Sequence, residues 1–458
     1  MAPKTLLVNV CYDYPVVTEG IFTGINKIWQ PISLAYATAI LKTEGMEVKL
    51  LDANALRIRP GDTGRLYPGY DFAFVSSTSY DRWECPHLDL KPAVETCKSI
   101  REHSPKTVIF LVGAHGTVLP KEMIELTGAD AVLIGEPEYA IRDVVLAGDW
   151  RTAGGVAYVE GDVLKKNPRV KPFDLDKLPL PEFGDLPMEK YSFDMLGGRF
   201  AVLEASRGCP FRCFYCLKVM FGPYRKKSLD NLKREILYVV KTFGTKRINF
   251  LDLEFTVNRP LVEGMCEWLV NEGIRLEWSC QTRLDSVDEE LLGRMKEAGC
   301  RLVMYGVESG SQRIIDIIGK NTTIEDFRSG IAATRRVGIE SVCFFMFGFP
   351  SETGGEREET VKLALELNPD YASFFLCRPY PGTECYDKVA DVSPGLFPLG
   401  VGDEKELREL KAFCDRAFGR FYYRPSLIIK RLLRGDWRLI FNQIRVFLHK
   451  RGWVGDRA

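Results

Sequence analysis

The chain has 458 residues, of which 46% are hydrophobic and 27% charged, and its formal net charge is zero. This composition is typical of a globular protein of two to four domains. The zero net charge argues against a surface that binds nucleic acid over its whole extent, and no apolar run approaches the roughly 18 residues of a membrane-spanning helix.

Residues 1–148 alternate short apolar runs with helical patterns, which predicts a parallel sheet with helices on both faces. Five strands suit the flavodoxin-like arrangement, a Rossmann-type α/β fold. The predicted strands are Thr5–Val10, Glu47–Leu51, Phe72–Ser76, Thr107–Val112 and Ala131–Ile134. The predicted helices are Ser33–Glu44, Lys91–His103, Pro120–Leu126 and Glu138–Leu146.

Three loops of this domain follow predicted strands and carry small or polar residues. Ligands of such folds bind beyond the carboxyl ends of the strands, so these loops form a candidate ligand site. Its candidate residues are Ser76, Ser77, Thr78, Gly113, His115, Gly116, Thr117, Gly135 and Glu136. His115 could contact a ligand, or it could cap the next helix or form a local hydrogen bond.

Residues 149–198 are predicted to form a linker, because five prolines interrupt any regular element after a small hairpin at 154–163. Phe183 and Tyr191 are expected to pack this linker against both neighbouring domains.

Residues 199–385 form a second alternating series of six strand–helix repeats, which predicts a partial (β/α)6 TIM-like barrel. The predicted strands are Phe200–Leu203, Arg247–Leu251, Leu276–Cys280, Leu302–Gly306, Glu340–Phe347 and Tyr371–Leu376. Active sites of barrels lie at the carboxyl ends of the strands. Residues 386–458 are predicted to form a small helical C-terminal region.

Cys209, Cys213 and Cys216 have C-x3-C-x2-C spacing in a loop after the first barrel strand. Three thiolates can hold three irons of a 4Fe–4S cluster and leave the fourth iron open. Zinc would require four tetrahedral ligands, and the next cysteine is the distant Cys266 with no histidine nearby. Clustered core cysteines are the alternative interpretation, although Gly208 and Pro210 favour a tight loop.

Tyr215 completes the pattern C-x3-C-x-aromatic-C, and at these residues the chain resembles the radical S-adenosylmethionine (SAM) superfamily. The resemblance implies that SAM chelates the open iron through its amino and carboxylate groups. An electron from the cluster would then cleave SAM to methionine and a 5′-deoxyadenosyl radical. The resemblance also implies an electron donor such as flavodoxin or ferredoxin.

Polar and aromatic residues follow the later barrel strands, where SAM would bind. The candidate SAM residues are Tyr215, Asp252, Glu254, Gln281, Arg283, Glu308 and Phe347. Each charged residue alone could instead be a solvated loop charge or a partner of a helix N-terminus. Six strand ends in register weaken that alternative.

The predicted roles follow the chemistry of SAM. The carboxylates of Asp252 and Glu254 would receive the ammonium group of SAM. Gln281 and Arg283 follow the third strand, and the Arg283 guanidinium would pair with the carboxylate of SAM. Glu308 would accept from the ribose hydroxyls. Adenine would lie against Phe347, and in the superfamily the carbonyl of the aromatic residue, here Tyr215, also reaches the adenine.

The N-terminal domain resembles the cobalamin-binding domain that precedes many radical SAM domains. The segments 81–86 and 378–383 also resemble that class. The motif D-x-H-x-x-G, which supplies a histidine ligand to cobalt, is absent, because residues 9–14 read NVCYDY. The resemblance therefore implies base-off cobalamin without a histidine ligand. The alternative is a domain that keeps the fold and has lost the cofactor.

The tail from Arg416 to Arg451 holds ten Lys or Arg and one acid, with amphipathic stretches at Ile428–Leu433 and Leu439–Leu448. One interpretation is a helical lid on the barrel. The other is a surface that lies against a membrane or binds an acidic partner.

These resemblances imply a cobalamin-dependent radical SAM enzyme that methylates an unactivated carbon of an unidentified organic substrate, such as a peptide, a protein or a small molecule. Methylcobalamin would supply the methyl group, and a second SAM would remethylate cobalamin. The alternatives are radical carbon–carbon coupling, cyclisation or rearrangement of a lipid or tetrapyrrole, and a non-catalytic corrinoid-binding protein. The cysteine triad counts against the last.

The thirteen cysteines are scattered through a long chain with no signal peptide, which favours a reducing, cytoplasmic location over a disulfide framework. No nucleic-acid partner is expected. The sequence singles out no catalytic acid, base or radical-relay residue.

Overall fold

The computed structural model describes residues 3–12, 17–18, 21–22, 27–77, 89–193, 195–389, 391 and 395–434. Five parallel strands form the centre of the N-terminal sheet: Lys4–Asn9, Glu47–Asp52, Phe72–Ser76, Val108–Val112 and Ala131–Leu133. In space their order is second, first, third, fourth, fifth. This order confirms the predicted flavodoxin-like arrangement.

Helices pack on this sheet and bury the strands, which explains why the strands are apolar over most of their length. The helices are Ile32–Thr43, Lys91–His103, Pro120–Thr127 and Pro137–Leu146, with shorter turns at Ala53–Leu56, Thr63–Leu66 and Ala114–Val118. All elements predicted for this domain are present, with ends shifted by one residue at most.

The segment predicted as a linker begins with a hairpin, Val156–Glu160 and Val163–Lys166, whose first strand pairs antiparallel with Ala131–Leu133. The hairpin therefore extends the N-terminal sheet. Beyond it the chain is irregular, and it packs down through Phe183 and Tyr191, which are both buried. The Tyr191 hydroxyl donates to Asp52 of the N-terminal sheet over 2.7 Å.

Six parallel strands form the second sheet, and neighbours in sequence are neighbours in space. The strands are Phe200–Leu203, Arg247–Phe250, Glu277–Arg283, Cys300–Glu308, Glu340–Phe347 and Tyr371–Leu376. The intervening helices are Leu229–Phe243, Arg259–Asn271, Glu289–Glu297, Gln312–Ile317, Ile324–Val337 and Gly354–Leu367. The first and sixth strands are at opposite edges of this sheet, which confirms the predicted partial barrel.

Capping boxes fix the first turns of two barrel helices. Helix Ile324–Val337 begins after a capping box in which Thr323 and Asp326 exchange hydrogen bonds, and it ends at Gly338 with φ +78°. Thr353 and Glu356 form the same box before Gly354–Leu367.

The C-terminal region is helical, as predicted: Glu384–Val389, Glu404–Tyr422 and Pro425–Arg434. The longest of these packs on the sixth barrel strand, where the Tyr422 hydroxyl donates to the Ala372 carbonyl over 2.7 Å. Among the described residues, no helix is both long and apolar enough to cross a membrane. The predicted amphipathic stretch Leu439–Leu448 lies outside the described residues.

Candidate active site

The loop that carries the three cysteines leaves the first barrel strand and returns to it closely. Gly208 begins the loop with φ +78°, and a Cβ there would lie 3.0 Å from the carbonyl oxygen of Gly222 and 3.1 Å from that of Pro223. Glycine is therefore needed where the two ends of the loop meet. The Phe214 amide donates to the Ile318 carbonyl over 3.0 Å, which fixes the centre of the loop to the barrel.

Cys209, Cys213 and Cys216 form no disulfide and are partly exposed in this loop. Among the described residues, no group of three or more His, Cys, Asp or Glu side chains converges to hold a single metal ion. A mononuclear zinc site needs such convergence, whereas each thiolate of an iron–sulfur cluster binds a different iron.

Burial raises the pKa of the Cys209 thiol to about 11 and raises that of Cys213. Deprotonation at neutral pH therefore requires positive charge close to the sulfur atoms. Iron ions supply such charge when they coordinate thiolates. The donor chemistry of this loop is consistent with an iron–sulfur cluster.

Asp252 and Glu254 lie buried beyond the second barrel strand. Asp252 accepts from the Ala205 amide over 2.9 Å and from the Ser206 hydroxyl over 2.5 Å, so both of its oxygens already bind the first strand end. Burial raises the pKa of Asp252 to about 6 and that of Glu254 to about 7. A ligand ammonium group would favour the ionised form of these carboxyl groups.

Glu254 differs from Asp252 in how its oxygens are used. Its Oε1 accepts from the Arg283 amide over 3.0 Å and from the Thr282 hydroxyl. Both hydrogen bonds end at the same oxygen, which leaves Oε2 for a ligand. Of the two predicted ammonium partners, Glu254 is therefore the better placed.

Arg283 is held by protein groups on three sides. Its Nε and Nη2 donate to Asp285 over 2.8 and 2.5 Å, and Nη2 also donates to the Lys320 carbonyl over 2.6 Å. The guanidinium lies 4.0 Å from the centre of the Phe211 ring in the cysteine loop. A ligand carboxylate would have to share Arg283 with Asp285, and the predicted pairing with SAM stays a prediction.

Glu308 lies at the end of the fourth strand, with φ +69°, and is part of a buried group that the sequence did not reveal. The Lys320 ammonium donates to Glu308 Oε1 over 3.2 Å and to the Gly306 carbonyl over 2.8 Å. A Cβ at Gly306 would overlap Glu308 Oε1, so glycine makes room for this pair. Burial raises the pKa of the Tyr215 hydroxyl, and the neighbouring negative charge of Glu308 raises it further.

The positive charge of Lys320 therefore lies where it could act on both the Glu308 carboxylate and the cysteine loop. It is 3% exposed, and the Glu308 carboxylate is the side chain that neutralises it. Sequence reasoning missed it because a single lysine between helices carries no signal of burial. The apolar residues Ile317 and Ile318, which precede it by three and two positions, were the one available indication.

The two aromatic residues at the end of the fifth strand have different surroundings: one packs in the core and the other against the cysteine loop. Phe347 is fully buried and stacks on Phe374 with ring centres 6.0 Å apart. Phe349 lies instead against the cysteine loop, with its ring centre 5.9 Å from that of Tyr215. Phe349 therefore contacts the cysteine loop, and the predicted contact of Phe347 with adenine stays a prediction. Gln281 is half-buried within the third strand.

The candidate cobalamin loops meet at the carboxyl end of the N-terminal sheet. Ser77 connects the loop after the third strand to the loop after the fourth. Its amide donates to the Val112 carbonyl over 2.8 Å, and its hydroxyl lies 2.9 Å from His115 Nδ1. His115 is fully buried and makes the local hydrogen bond that was one of its two predicted roles. Thr78 and residues 81–86 lie outside the described residues.

The floor of this region is lined by residues with little or no side chain. Gly113 and Gly135 have φ +118° and +89°, and a Cβ at Gly113 would lie 2.6 Å from Ser77 Oγ. Thr117 connects them, since its hydroxyl donates to the Gly113 carbonyl over 2.9 Å and accepts from the Gly135 amide over 3.0 Å. Backbone without side chains allows a ligand such as cobalamin to approach these strand ends closely, and at Gly135 the Met220 carbonyl oxygen lies 3.6 Å from where a Cβ would be.

The other predicted residues of this region are used within the protein. Ser76 accepts from the Val10 amide over 3.1 Å, and a Cβ at Gly116 would lie 3.1 Å from Val132. Glu136 pairs with Arg207 over 2.7 Å and with Arg225. Their predicted contact with a cofactor stays a prediction.

Arg207, directly before the cysteine loop, joins the two domains through buried charge. It is almost completely buried and also pairs with Glu138 and Glu204, each over 2.8 Å. A buried guanidinium is tolerated when carboxylates surround it. The ion pairs from Glu136 and Glu138 therefore fix the N-terminal loops to the base of the cysteine loop.

The residues after the third cysteine pack on the N-terminal strand ends. Leu217 and Met220 form an apolar cluster with Ala114 and Tyr380. The Thr117 hydroxyl lies 3.4 Å from the Met220 sulfur. The two candidate cofactor regions are therefore in direct contact.

Replacing Glu308 or Arg283 by alanine is expected to weaken SAM binding about 10- to 100-fold, because a hydrogen bond to a charged group contributes roughly 1.5–3 kcal/mol. Iron content should not change. Equilibrium dialysis with labelled SAM measures the affinity. Glu289→Ala and Arg336→Ala are matched controls, since these residues form an exposed ion pair outside the barrel. Unchanged affinity in both test variants would show that the SAM pocket is misplaced.

The Radical SAM superfamily model matches residues 203–364, and the B12 binding domain model matches residues 20–145. An uncharacterized methyltransferase of Pyrococcus horikoshii is 30% identical over 456 residues, which cover 95% of this chain and 96% of the relative. An anaerobic magnesium-protoporphyrin IX monomethyl ester cyclase of Rubrivivax gelatinosus is 31% identical over 379 residues, which cover 79% and 67%.

A similar fold occurs in the radical SAM methyltransferase TsrM of Kitasatospora setae, whose structure contains cobalamin and a 4Fe–4S cluster. The two chains are 19% identical, and the match has a TM-score of 0.68 and covers 85% of this chain and 75% of TsrM. At this identity the likeness concerns the fold.

Proposed function

This chain belongs to the radical SAM superfamily and carries a B12-binding domain, and from this premise we propose that it transfers a methyl group to an unactivated carbon of a peptide, protein or small molecule. When bound, the cluster supplies the electron that cleaves SAM, and cobalamin supplies the methyl group. An external donor such as flavodoxin or ferredoxin would supply the electron in turn.

The observation that carries this proposal is the contact between the cysteine loop and the N-terminal strand ends. Cys213 and Cys216 are followed within a few residues by Met220, whose sulfur lies 3.4 Å from the Thr117 hydroxyl. A ligand over the glycines of the N-terminal sheet and a ligand held by the cysteines would therefore be neighbours. Methyl transfer by two cofactors needs such proximity.

The residues of the barrel would bind and orient SAM. Glu254 offers Oε2 to the ammonium group, and Glu308, oriented by Lys320, accepts from the ribose hydroxyls. Burial of these groups excludes water, which strengthens their electrostatic interactions with the ligand.

The histidines of the described chain support a base-off form of cobalamin. His115 is buried and bonded to Ser77, and His103 lies on a helix with its Nδ1 3.0 Å from the Ser99 carbonyl. The Nδ1 atoms of both side chains are therefore engaged within the protein. The missing D-x-H-x-x-G motif supports the same conclusion.

A second candidate function is radical cyclisation or coupling without methyl transfer. The observation that favours it is the 31% identity with the Rubrivivax gelatinosus cyclase. The longer match to an uncharacterized methyltransferase, over 95% of this chain, favours methyl transfer.

The two functions differ in the products of SAM. The reconstituted protein, loaded with hydroxocobalamin and reduced with titanium(III) citrate, should form both 5′-deoxyadenosine and S-adenosylhomocysteine, because the latter appears only when SAM gives up its methyl group. Chromatography of a reaction with methyl-labelled SAM measures both products. Protein prepared without cobalamin is the control. Formation of 5′-deoxyadenosine alone by the loaded protein would favour the cyclase alternative.

A further inference from the structure

Exposed apolar side chains are concentrated on the last described helix, Pro425–Arg434. Ile428, Ile429, Leu432 and Leu433 are 39%, 55%, 41% and 83% exposed. Their spacing of one, three and one residues places them on one side of the helix. The other exposed large apolar residues of the described chain are dispersed, so this helix carries a patch that the barrel does not cover.

The orientation of this helix is set by the body of the protein. Leu427 at its first turn is 3% exposed and belongs to the main core. Directly before the helix, Arg424 donates to the Phe421 carbonyl over 2.8 Å and to Asn368 over 3.0 Å. The patch is therefore presented at a fixed position rather than on a free end.

The charge of this part of the chain is strongly one-sided. Residues 416–451 contain ten Lys or Arg and one acid, whereas the whole chain has a formal net charge of zero. A basic segment with exposed apolar residues is attracted to an anionic surface and can bury its apolar residues at the boundary of the acyl chains. An acidic protein would match the charge but would not account for four exposed isoleucines and leucines.

We propose that helix Pro425–Arg434, with the Lys and Arg residues of segment 416–434, binds the surface of an anionic membrane. The helix would lie in the plane of the interface, with Ile428, Ile429, Leu432 and Leu433 inserted below the headgroups. This proposal does not depend on methyl transfer, because it uses no residue of the candidate active site.

The full-length reconstituted protein can be tested by flotation with vesicles of phosphatidylcholine alone and of phosphatidylcholine mixed with phosphatidylglycerol. We expect binding to the mixed vesicles and a decrease at high salt, since screening weakens the attraction. The variant Ile429→Glu/Leu433→Glu should bind at least about tenfold less, because two apolar insertions are lost.

The matched control is Leu146→Glu/Val163→Glu, which adds the same charge at positions that are 47% and 57% exposed in the N-terminal domain. It should keep the binding of the unsubstituted protein, and both variants should keep their iron content. Three outcomes would overturn the proposal: no binding to anionic vesicles, equal binding of the test and control variants, or retention on an acidic polypeptide resin but not on vesicles.

Discussion

Protein in which Cys209, Cys213 and Cys216 are all replaced by alanine is expected to contain no 4Fe–4S cluster and to form no 5′-deoxyadenosine from SAM. The three residues are partly exposed cysteines of one short loop, whereas the described cysteines elsewhere are buried. Cys266, for example, is 1% exposed and lies on helix Arg259–Asn271.

Iron and sulfide analysis, with electron paramagnetic resonance of the reduced protein, measures the cluster, and chromatography measures SAM cleavage. Cys266→Ala is the matched control, because Cys266 is buried on helix Arg259–Asn271 and should keep both properties. A triple variant that retained its full iron content and cleaved SAM would disprove the assignment of the ligands.

One equivalent of base-off cobalamin is expected to remain bound when the protein is purified with hydroxocobalamin. The absorption spectrum distinguishes the base-off form from a form with a nitrogen ligand. Gly113→Ala should abolish this binding, because its φ is +118° and the added Cβ would lie 2.6 Å from Ser77 Oγ. Gly148→Ala is the matched control, since a Cβ at Gly148 has no neighbour within 4 Å.

His115→Ala should not change the part of this spectrum that reports on a nitrogen ligand to cobalt, because His115 is hydrogen-bonded to Ser77 inside the protein. A spectrum with a nitrogen ligand that His115→Ala removes would contradict the base-off assignment. No binding of cobalamin in any redox state would favour cyclisation or coupling, with the N-terminal domain acting as a scaffold.

The sequence alone determined the elements and was sufficient to predict the cluster ligands, because both depend on residues that are close along the chain. The strand Phe72–Ser76 and the helix Lys91–His103 have the predicted bounds, since their apolar patterns indicate which residues are buried. Cys209, Cys213 and Cys216 share one short loop, so their spacing was sufficient to predict a common site. The parallel order of both sheets followed from the alternation of strands and helices.

Only the tertiary structure decided which side chains meet across the domains and across neighbouring strands. Arg207 pairs with Glu136, which is 71 residues away, and the Tyr191 hydroxyl reaches Asp52 over a separation of 139 residues. Lys320 neutralises Glu308, and Phe349 rather than Phe347 lies against Tyr215. Periodicity indicates which face of an element is buried, but it does not indicate which side chain of another element that face contacts. The polar partners of the candidate site therefore had to come from the packed structure.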